Sequence, residues 1–168
     1  MTSSGRNDLK LNSFLPYVLN NLAERVSAGL SRIYADEYQL SIPEWRVIAV
    51  LARHAGLSAR DVAELTSMDA VAVSRAVSRL LGSGRIRRDV SKSDRRRSVL
   101  RLSRRGIAVY RAVAPLALDY ERELLEGMSA DERQALDLAL HKLTLRARGL
   151  RQNTVGAPRR RAPPKRSL

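Results

Sequence analysis

Between Leu57 and Ser103 two short amphipathic patterns, a glycine stop and a strongly basic segment follow one another without a break, and few folds accommodate that order. Ser58-Ala59-Arg60-Asp61 has the form of a helix N-cap, opening a short helix expected to turn Val62, Ala63 and Leu65 inward. After a tight turn, Ser67 or Asp69 caps a second helix. There Val73, Val77 and Leu80 recur as one buried stripe, which leaves Val71, Ser74, Arg75, Ser78 and Arg79 on the other side or its flanks. Two short helices joined by a tight turn are the helix-turn-helix plan.

Gly82 and Gly84 stop the second helix, after which Ile86, Arg88 and Val90 alternate with polar residues, and Val99, Leu100 and Leu102 end a second run. The turn-rich stretch Ser91-Lys92-Ser93-Asp94-Arg95-Arg96-Arg97 lies between them. This pattern is that of a β-hairpin with imperfect alternation and a long loop, and directly after a helix-turn-helix such a hairpin is a wing. Arg85 to Arg105 holds ten Lys/Arg against two Asp, a net of +8 in a segment too short for a core of its own. Such a surface suits a polyanion, with DNA the first candidate.

The remaining segments frame this lobe. A first helix is expected over Leu11 to Glu37, with Leu15, Leu22, Val26, Leu30 and Ile33 at three- to four-residue steps and Pro16 in its first turn. Ser41-Ile42-Pro43-Glu44 reads as a capping box for a helix through Trp45, Ile48 and Leu51. Ser103 caps a long helix that meets Pro115 in its middle, where a kink is expected. Ser129-Ala130-Asp131-Glu132 is a further capping box, followed by Leu136, Leu140 and Leu143 at heptad-like spacing. Beyond Gly149 the chain turns basic and proline-bearing, with six Lys/Arg and no acid from Arg151 to Leu168. That composition predicts a disordered tail.

The expected organisation is a flexible N-terminus over 1–10, a single domain over 11–148, and a disordered basic tail over 149–168. With 168 residues, 44% of them hydrophobic, the chain has material for one core. Its formal net charge of +14 makes nucleic acid or an anionic membrane the natural partner. A membrane is disfavoured because the basic residues gather on a hairpin and a tail and do not line an amphipathic helix. No apolar run of membrane length and no signal-peptide pattern occurs, so a cytoplasmic location is expected. Cysteine is absent, which removes disulfides, thiolate nucleophiles and Cys-ligated zinc. His54 and His141 lie far apart in sequence, so neither a metal site nor any cofactor is expected. Catalysis is also disfavoured: there is no Gly-rich phosphate loop, no nucleophile elbow and no His-centred triad, and the acids Asp61, Glu64, Asp131 and Glu132 are explained by helix starts.

From Ile42 to Leu143 the chain resembles the MarR family of winged helix-turn-helix transcription regulators. The resemblance rests on five motifs in order: Pro43-Glu44-Trp45-Arg46-Val47, Leu57-Ser58-Ala59-Arg60-Asp61-Val62-Ala63, Val73-Ser74-Arg75-Ala76-Val77-Ser78-Arg79-Leu80, Asp94-Arg95-Arg96 with Leu100-Arg101-Leu102-Ser103, and Leu124-Leu125-Glu126-Gly127-Met128-Ser129. It implies a mainly α fold with a small β-hairpin wing: a winged helix-turn-helix lobe over 43–102 and interlocking dimerisation helices over 11–40 and 103–148. It further implies a two-fold homodimer on a palindromic operator, with recognition helices in the major groove and wings in the minor groove. The chain departs from the family at Ala70 and Ala72, where members often carry Lys and Thr, and in its basic tail.

On this reading Ser74, Arg75, Ser78 and Arg79 meet the major groove, where an arginine can bond guanine through two hydrogen bonds. The resemblance pairs Asp94 with Arg96 in the wing, the acid orienting a guanidinium toward the minor groove, with Lys92, Arg95 and Arg97 beside phosphate. Ser58, Arg60 and Ser67 are placed at helix N-termini, where they cap and where phosphate can also bind. Family members commonly bind phenolic or aromatic carboxylates between the dimer helices and the DNA-binding lobe. Tyr17, Arg25, Tyr38, Trp45, Arg46 and His54 offer aromatic walls and cations for such a ligand, or for its CoA thioester, although Trp45 could equally be core and Arg46 could pair with Glu44. The alternative is a constitutive nucleoid-type DNA-binding protein that has no ligand.

Overall fold

The structure, a computed structural model, describes residues 9–90 and 98–155. After a 3-10 turn at Leu11–Ser13 come α1 (Leu15–Tyr38), α2 (Ile42–Arg53), α3 (Ala59–Thr66) and α4 (Ala70–Gly82). Strands β1 (Ile86–Val90) and β2 (Ser98–Leu102) then precede α5 (Arg104–Leu124) and α6 (Ala130–Val155). The fold is mainly α with a small hairpin, as the sequence predicts.

Each helix start has a physical cause. Pro16 sits in the first turn of α1, where its missing N–H costs nothing. At α2 the Ser41 N–H donates to Glu44 Oε2 at 2.7 Å, which satisfies a carboxylate that is almost wholly buried. Ser58 and Asp61 close the same reciprocal box on α3, at 2.9 and 3.2 Å. The N-cap of α4 is Asp69, whose Oδ1 accepts from the Ala72 N–H at 2.8 Å.

Helices α2, α3 and α4 bury Ile48, Leu51, Val62, Val73, Val77 and Leu80 in one core, closed by Ile86 and Leu100 from the hairpin. The antiparallel register pairs Ile86 with Leu102, Arg87 with Arg101 and Asp89 with Val99. On its other edge Leu100 bridges Leu57, through Leu100 N–H to Leu57 O at 2.7 Å and Gly56 N–H to Leu100 O at 3.1 Å. Val99 and Leu100 are both buried, which is why strict alternation fails in this strand.

One residue ties several elements together. The Arg85 guanidinium donates to the carbonyls of Tyr38 and Gln39 at the end of α1. Its backbone N–H reaches Leu80 O of α4 at 2.9 Å, and its carbonyl accepts from the Ser103 N–H at 3.0 Å. Ser103 in turn caps α5 by accepting from the Gly106 N–H at 3.1 Å. A Cβ on Gly106 would lie 2.0 Å from the Arg85 carbonyl oxygen, so only glycine permits this approach.

Two expectations are corrected. Leu65 is exposed: α3 is short enough that Val62 and Ala63 supply its inward contacts. The helix expected to end at 148 continues through Gly149 to Val155, since one glycine costs a helix only about 1 kcal/mol. The chain forms two compact units, Met1–Glu121 and Arg122–Leu168. In the second unit every side chain of 130–150 is exposed, so α6 builds no core within that unit. Its start is nevertheless fixed, by the Ser129–Glu132 box and by Arg133 donating to Leu125 O and Met128 O. Pro115 lies inside α5, which runs from Arg104 to Leu124.

Candidate nucleic-acid interface

On α4 the division of labour is complete. Val73, Ala76, Val77 and Leu80 are buried, while Ser74, Arg75, Ser78 and Arg79 are all exposed. These four share the outward face because residues one, four and five positions apart fall within an arc of about 140° at 100° per residue. Val71 adds an exposed apolar side chain one turn earlier, of the kind that contacts a thymine methyl. The α3–α4 connection, Ser67 to Asp69, is the tight turn that the helix-turn-helix plan requires.

The three residues assigned to helix N-termini separate. Ser58 is the N-cap of α3, committed to Asp61. Arg60 forms an exposed ion pair with Glu64 at 3.2 Å. Ser67 is corrected: it follows the C-terminus of α3 in a left-handed conformation, φ 54°, and the capping of α4 belongs to Asp69. The early choice between Ser67 and Asp69 turns on a left-handed residue, which propensity alone does not reveal at a serine.

Lys92, Asp94, Arg95, Arg96 and Arg97 lie outside the described residues. The strands that carry them bring further cations, which periodicity alone did not single out. Arg87 and Arg101 stand opposite each other, and the Asp89 carboxylate bonds both: Oδ1 to Arg87 Nη1 at 3.3 Å and Oδ2 to Arg101 Nε at 3.3 Å. The signal was in the sequence, since Arg87 and Asp89 are two apart and so share a strand face, but its third member needs the register.

The candidates for a ligand do not converge within the chain. Tyr17 and Tyr38 stand near opposite ends of α1, about 30 Å apart at 1.5 Å per residue. Arg25 and His54 are exposed, His54 at the C-cap of α2. Trp45 is core: it is 8% exposed, stacks on Tyr110 at 6.1 Å between centroids and 19° between planes, and packs tilted on Tyr34 at 5.6 Å. Arg46 donates to Ser27 Oγ of α1 at 3.2 Å, while Glu44 serves Ser41. Burial pushes the Tyr34 phenol above its ordinary range, partly opposed by the Arg46 guanidinium. The Tyr38 phenol is also raised, by its hydrogen bond to Glu37. Among the described residues no cluster of metal-ligating side chains occurs, and no helix is long and apolar enough to cross a membrane.

Comparison with known proteins agrees with this architecture. No curated protein matches the chain in sequence. A MarR-family regulator of Silicibacter pomeroyi DSS is 28% identical, with a TM-score of 0.72 over 86% of this chain and 96% of its own. A MarR/EmrR-family regulator of Acinetobacter sp. ADP1 is 25% identical, with a TM-score of 0.78 over 84% of this chain and 99% of its own. BpsR of Bordetella bronchiseptica, whose DNA binding is regulated by 6-hydroxynicotinic acid, shares the fold at 22% identity, with a TM-score of 0.70 over 79% and 94% of the two chains. Residues 38–97, from the end of α1 through the helix-turn-helix into the hairpin, match the MarR family profile. Over that segment, and in fold over most of its length, the chain is similar to MarR-family winged helix-turn-helix regulators.

Proposed function

We propose that this protein is a homodimeric transcription regulator that binds a palindromic DNA operator and represses until a small aromatic acid, or its CoA thioester, releases it. The observation that carries the DNA reading is the outward face of α4: two serines and two arginines that have no part in the core, on a helix capped and backed as a recognition helix. The basic hairpin follows it directly, and Lys92, Arg95, Arg96 and Arg97 would extend its cationic surface to the adjacent groove, with Asp94 orienting Arg96.

Dimerisation is supported by apolar surface that one chain leaves in water. Leu15, Leu22, Leu136, Leu140 and Leu143 are exposed, all at helical spacing on α1 or α6. The effector reading is supported by the small aromatic acid that regulates BpsR and by Arg46, an exposed cation beside the Tyr34–Trp45–Tyr110 cluster. Tyr17, Arg25, Tyr38 and His54 remain candidates only across a dimer interface.

Selection of binding sites from random duplex DNA at physiological salt tests this reading, repeated with benzoates, hydroxycinnamates and their CoA thioesters. The expected result is a palindrome that one compound releases. Tight, salt-sensitive binding with no enriched motif would replace it with the nucleoid-type alternative.

A further inference from the structure

The hairpin carries an arrangement that a surface built only for positive charge would avoid. Arg87 and Arg101 are directly opposed across the two strands, a pairing of like charges that weakens a sheet. Asp89 sits on the same face and divides its carboxylate between them, one oxygen to each at 3.3 Å. Arg101 is held from a second side. Its guanidinium lies over Gly56, where a Cβ would come within 2.8 Å of Nη2, and Gly56 has a φ of +84° that favours glycine. Gly56 leads through Leu57 into the Ser58 cap of α3 and bonds the strand at Leu100. Arg101 is therefore fixed where the hairpin meets the entry to the helix-turn-helix, with Arg87 beside it and 60% exposed.

We propose that Asp89 is a positioning residue for DNA binding: it holds Arg87 and Arg101 as a paired cationic edge that engages the phosphate backbone. The proposal rests on the DNA reading above. An arginine presents a planar fork of donors, and fixing its orientation beforehand lowers the entropy lost when it meets a phosphate. A carboxylate with bonds to two arginines on one sheet face supplies that orientation while leaving the trio a net positive charge.

The test exploits a conflict of sign. If Asp89 only relieves repulsion within the sheet, Asp89→Asn removes one negative charge and operator affinity rises. If it positions the arginines, affinity falls although the protein has become more positive. Fluorescence anisotropy on the selected operator, from low to high salt, is measured for the full chain, Asp89→Asn, Arg87→Ala/Arg101→Ala and the triple variant, with thermal melting of each. The expected loss for Asp89→Asn is about tenfold, the scale of a lost charged hydrogen bond, with the fold retained and only a small drop in melting temperature from the uncompensated Arg87–Arg101 pair. The slope of log affinity against log salt should flatten by about one unit. In the triple variant Asp89→Asn should add no further loss, a coupling that a stability role would not produce. Asp89→Asn binding as tightly as the parent or tighter, or losing the same factor without the two arginines, overturns the proposal and leaves the DNA reading intact. A parent protein that binds no duplex at all overturns both.

Discussion

Arg75→Ala gives the DNA reading a number. Arg75 lies on the exposed face of α4, between buried Val73 and buried Ala76, so its removal leaves the core untouched. A two-pronged arginine–guanine contact contributes about 1–3 kcal/mol of discrimination, or roughly 5- to 150-fold. A two-fold dimer on a palindrome makes that contact twice. The full operator should therefore lose about 2–6 kcal/mol, and a duplex with one intact half-site about half as much. Anisotropy titrations on three duplexes measure this: the palindrome, a single half-site, and the palindrome with every base pair varied in turn. Arg75→Ala should flatten preference at one symmetric pair of positions, with thermal stability within about 0.5 kcal/mol of the parent. An unchanged preference at all positions would refute the placement of Arg75 at a base edge. An equal loss on half-site and palindrome would refute the two-fold geometry.

Two further outcomes concern the framework. Gly106→Ala should destabilise by about 1–3 kcal/mol in thermal or urea unfolding, because the new methyl meets the Arg85 carbonyl, which is backbone and bonded to Ser103. Parent-like stability would mean that the approach is looser than described. Glu132, which accepts from the Ser129 N–H, has its carboxyl held below its ordinary 4.5 by that bond. Its contribution to the start of α6 is therefore complete above pH 4.5 and lost as pH falls through the lower folded value. Helicity followed by circular dichroism from pH 7 to pH 3 should show an acid-side loss that Glu132→Gln lacks, and identical profiles would remove the box from the account.

The helix-turn-helix was legible because its signals are local. Caps at Ser58 and the stripe Val73–Val77–Leu80 sit within one or two turns of what they determine, and the exposure of Ser74, Arg75, Ser78 and Arg79 follows from the same angular arithmetic. Where a residue's role depends on a distant partner, the sequence was mute. Tyr34 is among the most deeply buried side chains, yet it was not among the residues the spacing singled out on its helix, and the Trp45 ring that packs against it comes from α2. Arg85 looks like one more cation in a basic segment until the carbonyls of Tyr38 and Gln39 are placed beside it. Asp89 likewise gains its meaning from register. The bound at 148 erred in the opposite direction: it follows the change of composition beyond Gly149, but the neighbours of that glycine form helix readily enough to carry the chain to Val155.

The leucines that α1 and α6 leave in water set a rule for how this protein ages in solution. If a second copy is what covers them, folding and assembly are a single bimolecular equilibrium, and the melting temperature rises with concentration. Dilution then yields unfolded chains and not folded halves. Degradation would accordingly track copy number: the scarcer the protein, the shorter each molecule's life, so a regulator built this way is cleared fastest when least of it remains.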